Sequence, residues 1–128
     1  MKAIRIHDYG DADILRYENA PLPEIGPTEV LVKVHAASIN PVDWKIRGGH
    51  FREYMPLTFP VDLSYDMSGA VERVGAAVGR FRPGDPVIAR TSATYAEYAL
   101  AKADEVAPAP KSITLARAVG IPIAGTAA

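Results

Sequence analysis

The chain has 128 residues, of which 48% are hydrophobic and 23% charged, so it has room for a single domain with one apolar core. Its formal net charge is −1 and it contains no basic block, which argues against nucleic acid as a partner. It has no cysteine and its three histidines are scattered, which excludes disulfides and thiolate metal sites. No signal core and no run of about 18 apolar residues occurs, so we expect a cytoplasmic protein without a membrane partner.

Short strands separated by turn signals dominate the pattern. Alternating or compact apolar runs predict strands at Lys2–His7, Glu29–His35, Gly69–Gly75, Val87–Ala89 and Tyr95–Leu100. Three prolines between Asn19 and Thr28 predict an extended loop. In Phe81–Asp85, proline followed by glycine predicts a type II turn. These features favour a mainly β fold, an antiparallel sandwich or a partly open barrel.

Two segments have helical character, Pro41–Arg47 and Thr114–Val119, and each is about two turns long by the helical repeat. The last seventeen residues, 112–128, end on Gly-Thr-Ala-Ala without a charge or a cap. We interpret this ending as an interruption of a longer chain. The expected organisation is a domain at 1–111, followed by the start of a linker helix at 112–128.

Nucleotide-binding and hydrolytic motifs are missing. The sequence contains neither GxGxxG nor GxxxxGK[ST], and neither a GxSxG elbow nor an HExxH helix. This chain by itself therefore shows no cradle for a nucleotide phosphate.

Polar residues cluster after the second predicted strand. Asn40, Pro41 and Asp43 have the order of a helix start, with asparagine at the N-cap, proline at N1 and an acid at N3. Lys45 is either a solvated charge or a contact for a ligand. From the residues alone, capping explains Asn40 as well as chemistry does.

Tyrosines supply the other candidates for chemistry. Tyr54 lies in an aromatic loop that could simply close the edge of the core. Tyr65 and Asp66 could be a buried phenol with a hydrogen-bonded neighbour and a carboxylate that accepts backbone N–H groups. Physical reasoning leaves these two interpretations open.

The combined order of motifs resembles the medium-chain dehydrogenase/reductase superfamily, and within it the quinone-oxidoreductase branch. The motifs are Ala37-Ser-Ile-Asn-Pro-Val-Asp43, Arg47-Gly-Gly49, Phe59-Pro-Val-Asp-Leu-Ser-Tyr-Asp-Met-Ser-Gly69, Val74-Gly75, Phe81-Arg-Pro-Gly-Asp85 and Tyr95-Ala-Glu-Tyr98. The resemblance is collinear from Met1 to about Ala128. It implies a GroES-like substrate-binding domain, a partly open β-barrel with short helices, followed by a Rossmann domain that this chain lacks.

Zinc-dependent members of this superfamily carry cysteine where Asn40 stands and Gly-His-Glu where Ser64, Tyr65 and Asp66 stand. The resemblance therefore implies a zinc-free member with no metal site. Ser64 departs from the usual glycine, so the local backbone there is in doubt. Thr126 is displaced by one position, which puts its expected contact with nicotinamide in doubt.

The implied activity is hydride transfer from NADPH to a quinone or an activated alkene, by a parent protein of which this fragment would be an inactive part. The resemblance places Asn40 at the cleft for nicotinamide and substrate, with Asp43 as a structural residue. Tyr65 or Tyr54 would stabilise the substrate oxygen or donate a proton, and Lys45 would lie near the cofactor. The expected partners are a small-molecule quinone or enone and a second copy of the full-length parent.

Two other functions are compatible with the same pattern. A non-catalytic GroES-like module would use this fold for binding or assembly, but co-chaperonins need a long mobile partner-binding loop. An enoyl reductase module of a lipid-synthesising assembly would differ mainly in its substrate.

Overall fold

The computed structural model describes residues 1–119, which form two antiparallel sheets and two short helices. The strands are β1 (Lys2–Ile6), β2 (Arg16–Asn19), β3 (Glu29–Ala36), β4 (Val61–Asp62), β5 (Asp66–Val74), β6 (Pro86–Arg90), β7 (Tyr98–Lys102) and β8 (Val106–Pro108). The helices are α1 (Pro41–Arg47) and α2 (Leu115–Ala118), and 3₁₀ turns occur at Ala12–Ile14 and Ala103–Glu105.

The smaller sheet has the strand order β2-β1-β4, and the larger sheet has the order β7-β3-β5-β6-β8. Residues 95–97 join them: Ile4 N–H donates to the Tyr95 carbonyl at 2.7 Å, and Val34 N–H donates to the Glu97 carbonyl at 2.9 Å. Strand pairs do not close into a complete ring among the described residues. The prediction of a mainly β fold with an incomplete barrel is confirmed.

Strands with a clear pattern of apolar residues were predicted close to their observed bounds, whereas short or exposed strands were missed. β1, β3 and β6 lie within one or two residues of their predicted bounds. β5 begins earlier, at Asp66, and the strand predicted at Tyr95–Leu100 is displaced to β7. β2, β4 and β8 were missed, because β2 is mostly exposed and the other two have only two and three residues.

Two glycines meet specific backbone demands. Gly84 has φ +94°, and Asp85 N–H donates to the Arg82 carbonyl at 3.1 Å, as the predicted type II turn requires. A Cβ on Gly69 would lie 2.2 Å from the Lys33 carbonyl oxygen. Glycine therefore permits the close approach of β5 to β3 at this point.

The apolar side chains divide into two clusters. The sheet core fills one face of the larger sheet; its buried members are Val30, Val32, Met67, Val71, Phe81, Val87, Ala89, Ala99, Ala101 and Val106. The smaller cluster has buried members Ile6, Ile46 and Leu63 and lies beneath α1. Between them the first residues of β5 approach the start of α1.

The described part of the segment 112–128 packs on the larger sheet. α2 contacts β3, β5 and β6, its Ala118 is fully buried, and the Ser68 hydroxyl donates to the Leu115 carbonyl. Thr126 lies outside the described residues, and the proposed boundary at 111/112 stays a prediction. Within residues 1–119 no helix has the length and hydropathy to cross a membrane.

Candidate functional site

The start of α1 has the predicted cap. Asn40 takes the extended N-cap conformation with φ −115° and ψ 157°, and Pro41 occupies the first helical position. The Asp43 Oδ2 atom accepts the Asn40 backbone N–H at 2.7 Å, which is the reciprocal half of a capping box. The capping interpretation is therefore correct for the position of Asn40 and for Asp43.

The side chain of Asn40 is held by groups outside the helix. Its Nδ2 donates to the Ser38 hydroxyl oxygen at 3.2 Å and to Asp66 Oδ2 at 3.3 Å. These contacts hold the amide nitrogen against Ser38, before α1, and against Asp66, at the start of β5. The amide oxygen faces the Asp43 backbone N–H in the capping box.

Asp66 is the anchor of this arrangement, because only 1% of it is exposed. Its Oδ1 accepts the Ser38 backbone N–H at 3.2 Å and the Ser38 hydroxyl at 2.6 Å. With Asn40, three donors surround the carboxylate, which is how a charge is tolerated away from water. The interpretation of Asp66 as a buried carboxylate that accepts N–H groups is therefore correct, and the Ser38 hydroxyl is a further donor to it.

A second buried carboxylate, Asp43, lies nearby with 3% exposure. Burial raises its pKa above the usual 3.8, and the negative charge of Asp66 raises it further, whereas the Asn40 backbone N–H lowers it. Burial and the Asp43 charge raise the pKa of the neighbouring Tyr95 to about 12. We call Ser38, Asn40, Asp43, Ser64, Asp66 and Tyr95 the polar corner.

Ser64 closes the polar corner in an unusual backbone conformation. It is fully buried with φ +83°, in the left-handed region that favours glycine. Its hydroxyl donates to the Ser38 carbonyl at 3.1 Å. The doubt raised by serine at this position is thereby resolved: the chain keeps the conformation expected of glycine and adds a hydrogen bond.

An apolar cleft of ≈ 420 Å³ opens beside the polar corner; it is lined by Val42, Ile46, Phe51, Met55, Tyr65 and Arg90. Tyr65 directly precedes Asp66 and is half-buried. Burial raises its pKa above the usual 10.0, with a smaller contribution from the Asp43 charge. The phenol therefore keeps its proton at neutral pH and can act as a hydrogen-bond donor.

The remaining candidates lie further out. Tyr54 is 86% exposed, in the same loop as the cleft residues Phe51 and Met55. Lys45 is exposed on α1, with its Nζ 5.6 Å from the centre of the Trp44 ring. The structure thus brings Asn40 and Tyr65 to one corner and leaves Tyr54 and Lys45 at its margin; their roles stay predictions.

Sequence reasoning missed three residues of this region. Ser38 and Tyr95 belong to the polar corner, and Arg90 lines the cleft. Ser38 stands within a motif that was quoted, so its place before Asn40 was a usable signal. Tyr95 also stands within a quoted motif, but only the folded sheets bring it near α1, and Arg90 gave no signal.

The donor set of the polar corner suits an amide-bearing ring better than a phosphate or a metal. Asn40 offers its amide oxygen as an acceptor, since its N–H groups donate within the corner, and no lysine or arginine side chain among residues 1–119 hydrogen-bonds there. In the same described range, no three His, Cys, Asp or Glu residues form a group able to hold a metal ion.

Comparison with known families gives a match to the alcohol dehydrogenase GroES-like domain over residues 26–111. A chloroplastic quinone-oxidoreductase homolog of Spinacia oleracea is 36% identical over 133 residues, which cover 100% of this chain and 40% of that protein. A chloroplastic NADPH-dependent alkenal/one oxidoreductase of Arabidopsis thaliana is 40% identical, covering 97% of this chain and 35% of that protein.

Solved structures give the same result. The quinone oxidoreductase of Coxiella burnetii has a TM-score of 0.87 at 32% identity, over 98% of this chain and 42% of that one. The quinone oxidoreductase of Escherichia coli complexed with NADPH has a TM-score of 0.85 at 28% identity, over 94% of this chain and 36% of that one.

The chain thus spans about 40% or less of the curated relatives named above. The resemblance drawn from the motifs is confirmed, since the model match covers the strands that carry them. On this evidence the chain belongs to the alcohol dehydrogenase GroES-like domain family, and its relatives are quinone oxidoreductases of the medium-chain dehydrogenase/reductase superfamily.

Proposed function

We propose that this chain is the substrate-binding part of a zinc-free, NADPH-dependent oxidoreductase that reduces quinones or activated alkenes. The observation that carries the proposal is an apolar cleft lined by a protonated phenol, Tyr65, which directly precedes the carboxylate that holds the Asn40 amide. Flat apolar rings with a polar oxygen fit such a cleft. The names of the relatives, quinone and alkenal/one oxidoreductases, support the same substrate class.

NADPH, when bound, would supply the hydride. Negative charge then develops on the substrate oxygen, and the Tyr65 hydroxyl is a donor in the cleft that can meet it. Asn40 would accept a hydrogen bond from the carboxamide of the nicotinamide through its amide oxygen, because its two N–H groups already donate to Ser38 and Asp66. The apolar side chains of Val42 and Ile46 would keep water away from the reacting atoms.

The absence of zinc is part of the proposal. The sequence has no cysteine, and the two carboxylates of the polar corner are committed to internal donors, Asp43 to Asn40 and Asp66 to Ser38. Elemental analysis of the purified full-length protein tests this directly. Zinc near one equivalent per chain would contradict it.

The activity is tested in the full-length protein by following NADPH oxidation with a quinone and with an α,β-unsaturated ketone. We expect turnover with at least one, and Tyr65→Phe should lower kcat/KM by about 10²–10³-fold, the usual cost of losing one oxyanion donor. Tyr98→Phe, at a half-buried tyrosine outside the cleft, is the matched control. Oxidation of simple alcohols without enone or quinone reduction would contradict the proposal.

Cytoplasmic location, the homodimeric parent and the cofactor contacts of Lys45 and Thr126 remain predictions that accompany this proposal. Relatives include chloroplastic and mitochondrial proteins, so location requires its own measurement.

A further inference from the structure

One wall of the apolar cleft is an exposed loop. Residues 49–57, which we call the cleft loop, follow α1, and Phe51 and Met55 from this loop line the cleft. Residues 51–56 are all exposed. Among the described residues, their backbone hydrogen bonds stay inside the cleft loop; the Tyr54 and Met55 N–H groups, for example, both donate to the Phe51 carbonyl. The position of this wall therefore depends on how the two ends of the loop are attached.

Tyr9 contacts both ends of the cleft loop. At the far end, the Leu57 backbone N–H donates to the Tyr9 hydroxyl oxygen at 3.3 Å. At the near end, Gly49 has φ +82°, and a Cβ on this residue would lie 3.3 Å from the Tyr9 Cγ atom. The Tyr9 ring therefore lies directly against the Gly49 backbone, where a side chain would be crowded.

Tyr9 is itself held beside the end of α1. The N–H of the next residue, Gly10, donates to the Arg47 carbonyl at 2.9 Å. The Tyr9 ring meets the Phe59 ring edge to face, with ring centroids 5.1 Å apart. Tyr9 and Leu57 are separated by 48 positions in the chain, so the fold alone creates this attachment. A fixed ring thus connects the start and the end of the cleft wall.

We propose that Tyr9 is a positioning residue that holds the cleft loop at both ends and thereby sets how well the cleft accepts bulky apolar substrates. The specificity part of this inference rests on the proposed function. A substrate large enough to reach Phe51 and Met55 gains apolar contact with this wall. A small substrate does not fill the ≈ 420 Å³ cleft, so its binding depends little on where the wall lies.

A role in packing alone is the competing explanation, because Phe59 belongs to the smaller apolar cluster. Tyr9→Phe separates the two explanations, since phenylalanine keeps the ring contacts with Gly49 and Phe59 and removes only the hydroxyl. If Tyr9 serves packing alone, the internal hydrogen bonds of the cleft loop are as stable in this variant as in the parent. If the hydroxyl holds the loop, they open more often.

Hydrogen exchange of the cleft loop tests the attachment without reference to activity. Overlapping peptides that cover the loop in the full-length protein are measured by mass spectrometry. We expect Tyr9→Phe to speed exchange roughly fivefold at Leu57, which loses its acceptor, and also at Tyr54 and Met55, whose bonds lie inside the loop. Exchange in β3 should stay unchanged. Faster exchange at Leu57 alone would overturn the proposal, and so would no change at all.

Tyr98→Phe is the matched control, because Tyr98 is half-buried like Tyr9 and its hydroxyl forms no hydrogen bond among residues 1–119. It should leave the cleft loop unchanged. If Tyr9→Phe does not fold, Gly49→Ala replaces it, since the added Cβ would press on the Tyr9 ring. Gly49→Ala must then speed exchange at Tyr54 and Met55, and unchanged rates there overturn the proposal equally.

The kinetics of the full-length protein test the effect on substrates. The wall contacts a bulky substrate before and during the reaction, so displacing the wall weakens binding of both states alike. Tyr9→Phe should therefore raise KM for a two-ring substrate roughly fivefold, with kcat within about twofold of the parent, and leave KM for a small substrate of the same class unchanged. An equal change in KM for both substrates, or no change, would refute the specificity role.

Failure of the proposed function would be recognised separately. A parent with no reductase activity would refute that function and leave the exchange measurement to decide on Tyr9.

Discussion

The sheet core and the two carboxylates of the polar corner are buried to a similar extent, and for different purposes. The buried members of the sheet core are all apolar, and they interlock by shape over five strands. The polar corner buries two carboxylates, Asp43 and Asp66, which accept hydrogen bonds from Ser38 and from the Asn40 backbone. Burial of apolar surface favours folding, whereas burial of charge opposes it unless every oxygen is satisfied.

This difference predicts that changes in the sheet core alter stability and that changes in the polar corner alter the site. The corner also contains features that a region selected for stability alone would lack. Asp43 has an unpartnered oxygen, and Ser64 has a backbone conformation that serine disfavours. Such local costs are typical of functional sites.

The largest effect on stability should come from the sheet core. Phe81 is 4% exposed, so Phe81→Ala should lower the free energy of unfolding by about 3–5 kcal/mol, through lost burial and the cavity left behind. Urea unfolding measures this. Leu22→Ala, at a half-exposed loop position, should change stability by at most about 0.5 kcal/mol. A loss below about 1 kcal/mol for Phe81→Ala would show that the sheet core is loosely packed.

Asn40→Ser should change stability little and activity strongly, the opposite of a substitution in the sheet core. Serine caps a helix nearly as well as asparagine, so stability should change by only a few tenths of a kcal/mol. Serine cannot reproduce the donor and acceptor of the amide, so kcat/KM of the full-length protein should fall roughly a hundredfold, about 3 kcal/mol in activation free energy. If kcat/KM stays within about threefold of the parent, Asn40 is a cap and nothing more.

The contrast also explains what sequence could predict. Alternating apolar residues identify β1 and β3, because each strand has a buried face that carries the pattern. The exposed β2 has no such face and was missed. In the polar corner and the adjacent cleft, Asn40, Asp66 and Tyr65 stand in short motifs that the sequence displays. Tyr95 joins them only through the pairing of residues 95–97 with β1 and β3, which no local pattern encodes.

The buried charge of Asp43 should make stability depend on pH. Its pKa is raised in the folded state, so the folded chain holds this proton more tightly than the unfolded chain. The resulting stabilisation is fully present below pH 3.8 and is lost as the pH rises through the folded-state pKa. Asp43→Asn keeps an oxygen acceptor for Asn40 and removes the charge.

Relative to the parent, Asp43→Asn should therefore gain stability as the pH rises from about 3 towards neutrality, the range set by the raised carboxyl pKa. Urea unfolding at several pH values in this range measures the difference. Parallel curves for parent and variant would mean that Asp43 is ionised as easily in the folded chain as in the unfolded one.

The smallest effect concerns the backbone at Ser64. Replacing Ser64 in the polar corner and Ser68 in the larger sheet with glycine and with alanine compares the two regions. Alanine is normally more favourable than glycine inside a regular element by about 0.5–1 kcal/mol, because glycine loses more backbone entropy on folding. At Ser64, φ is +83°, so alanine would suffer the left-handed strain of about 1–2 kcal/mol that glycine avoids. Both variants lose the hydroxyl contact with Ser38, so that loss cancels in their difference. Ser64→Gly should therefore be more stable than Ser64→Ala by up to about 1.5 kcal/mol, the strain less the entropy. Ser68 is an equally buried serine within β5 that does not have a positive φ. At this position Ser68→Ala should be more stable than Ser68→Gly. If alanine is preferred at both positions, the backbone at Ser64 is not strained, and the polar corner stores no conformational cost of its own.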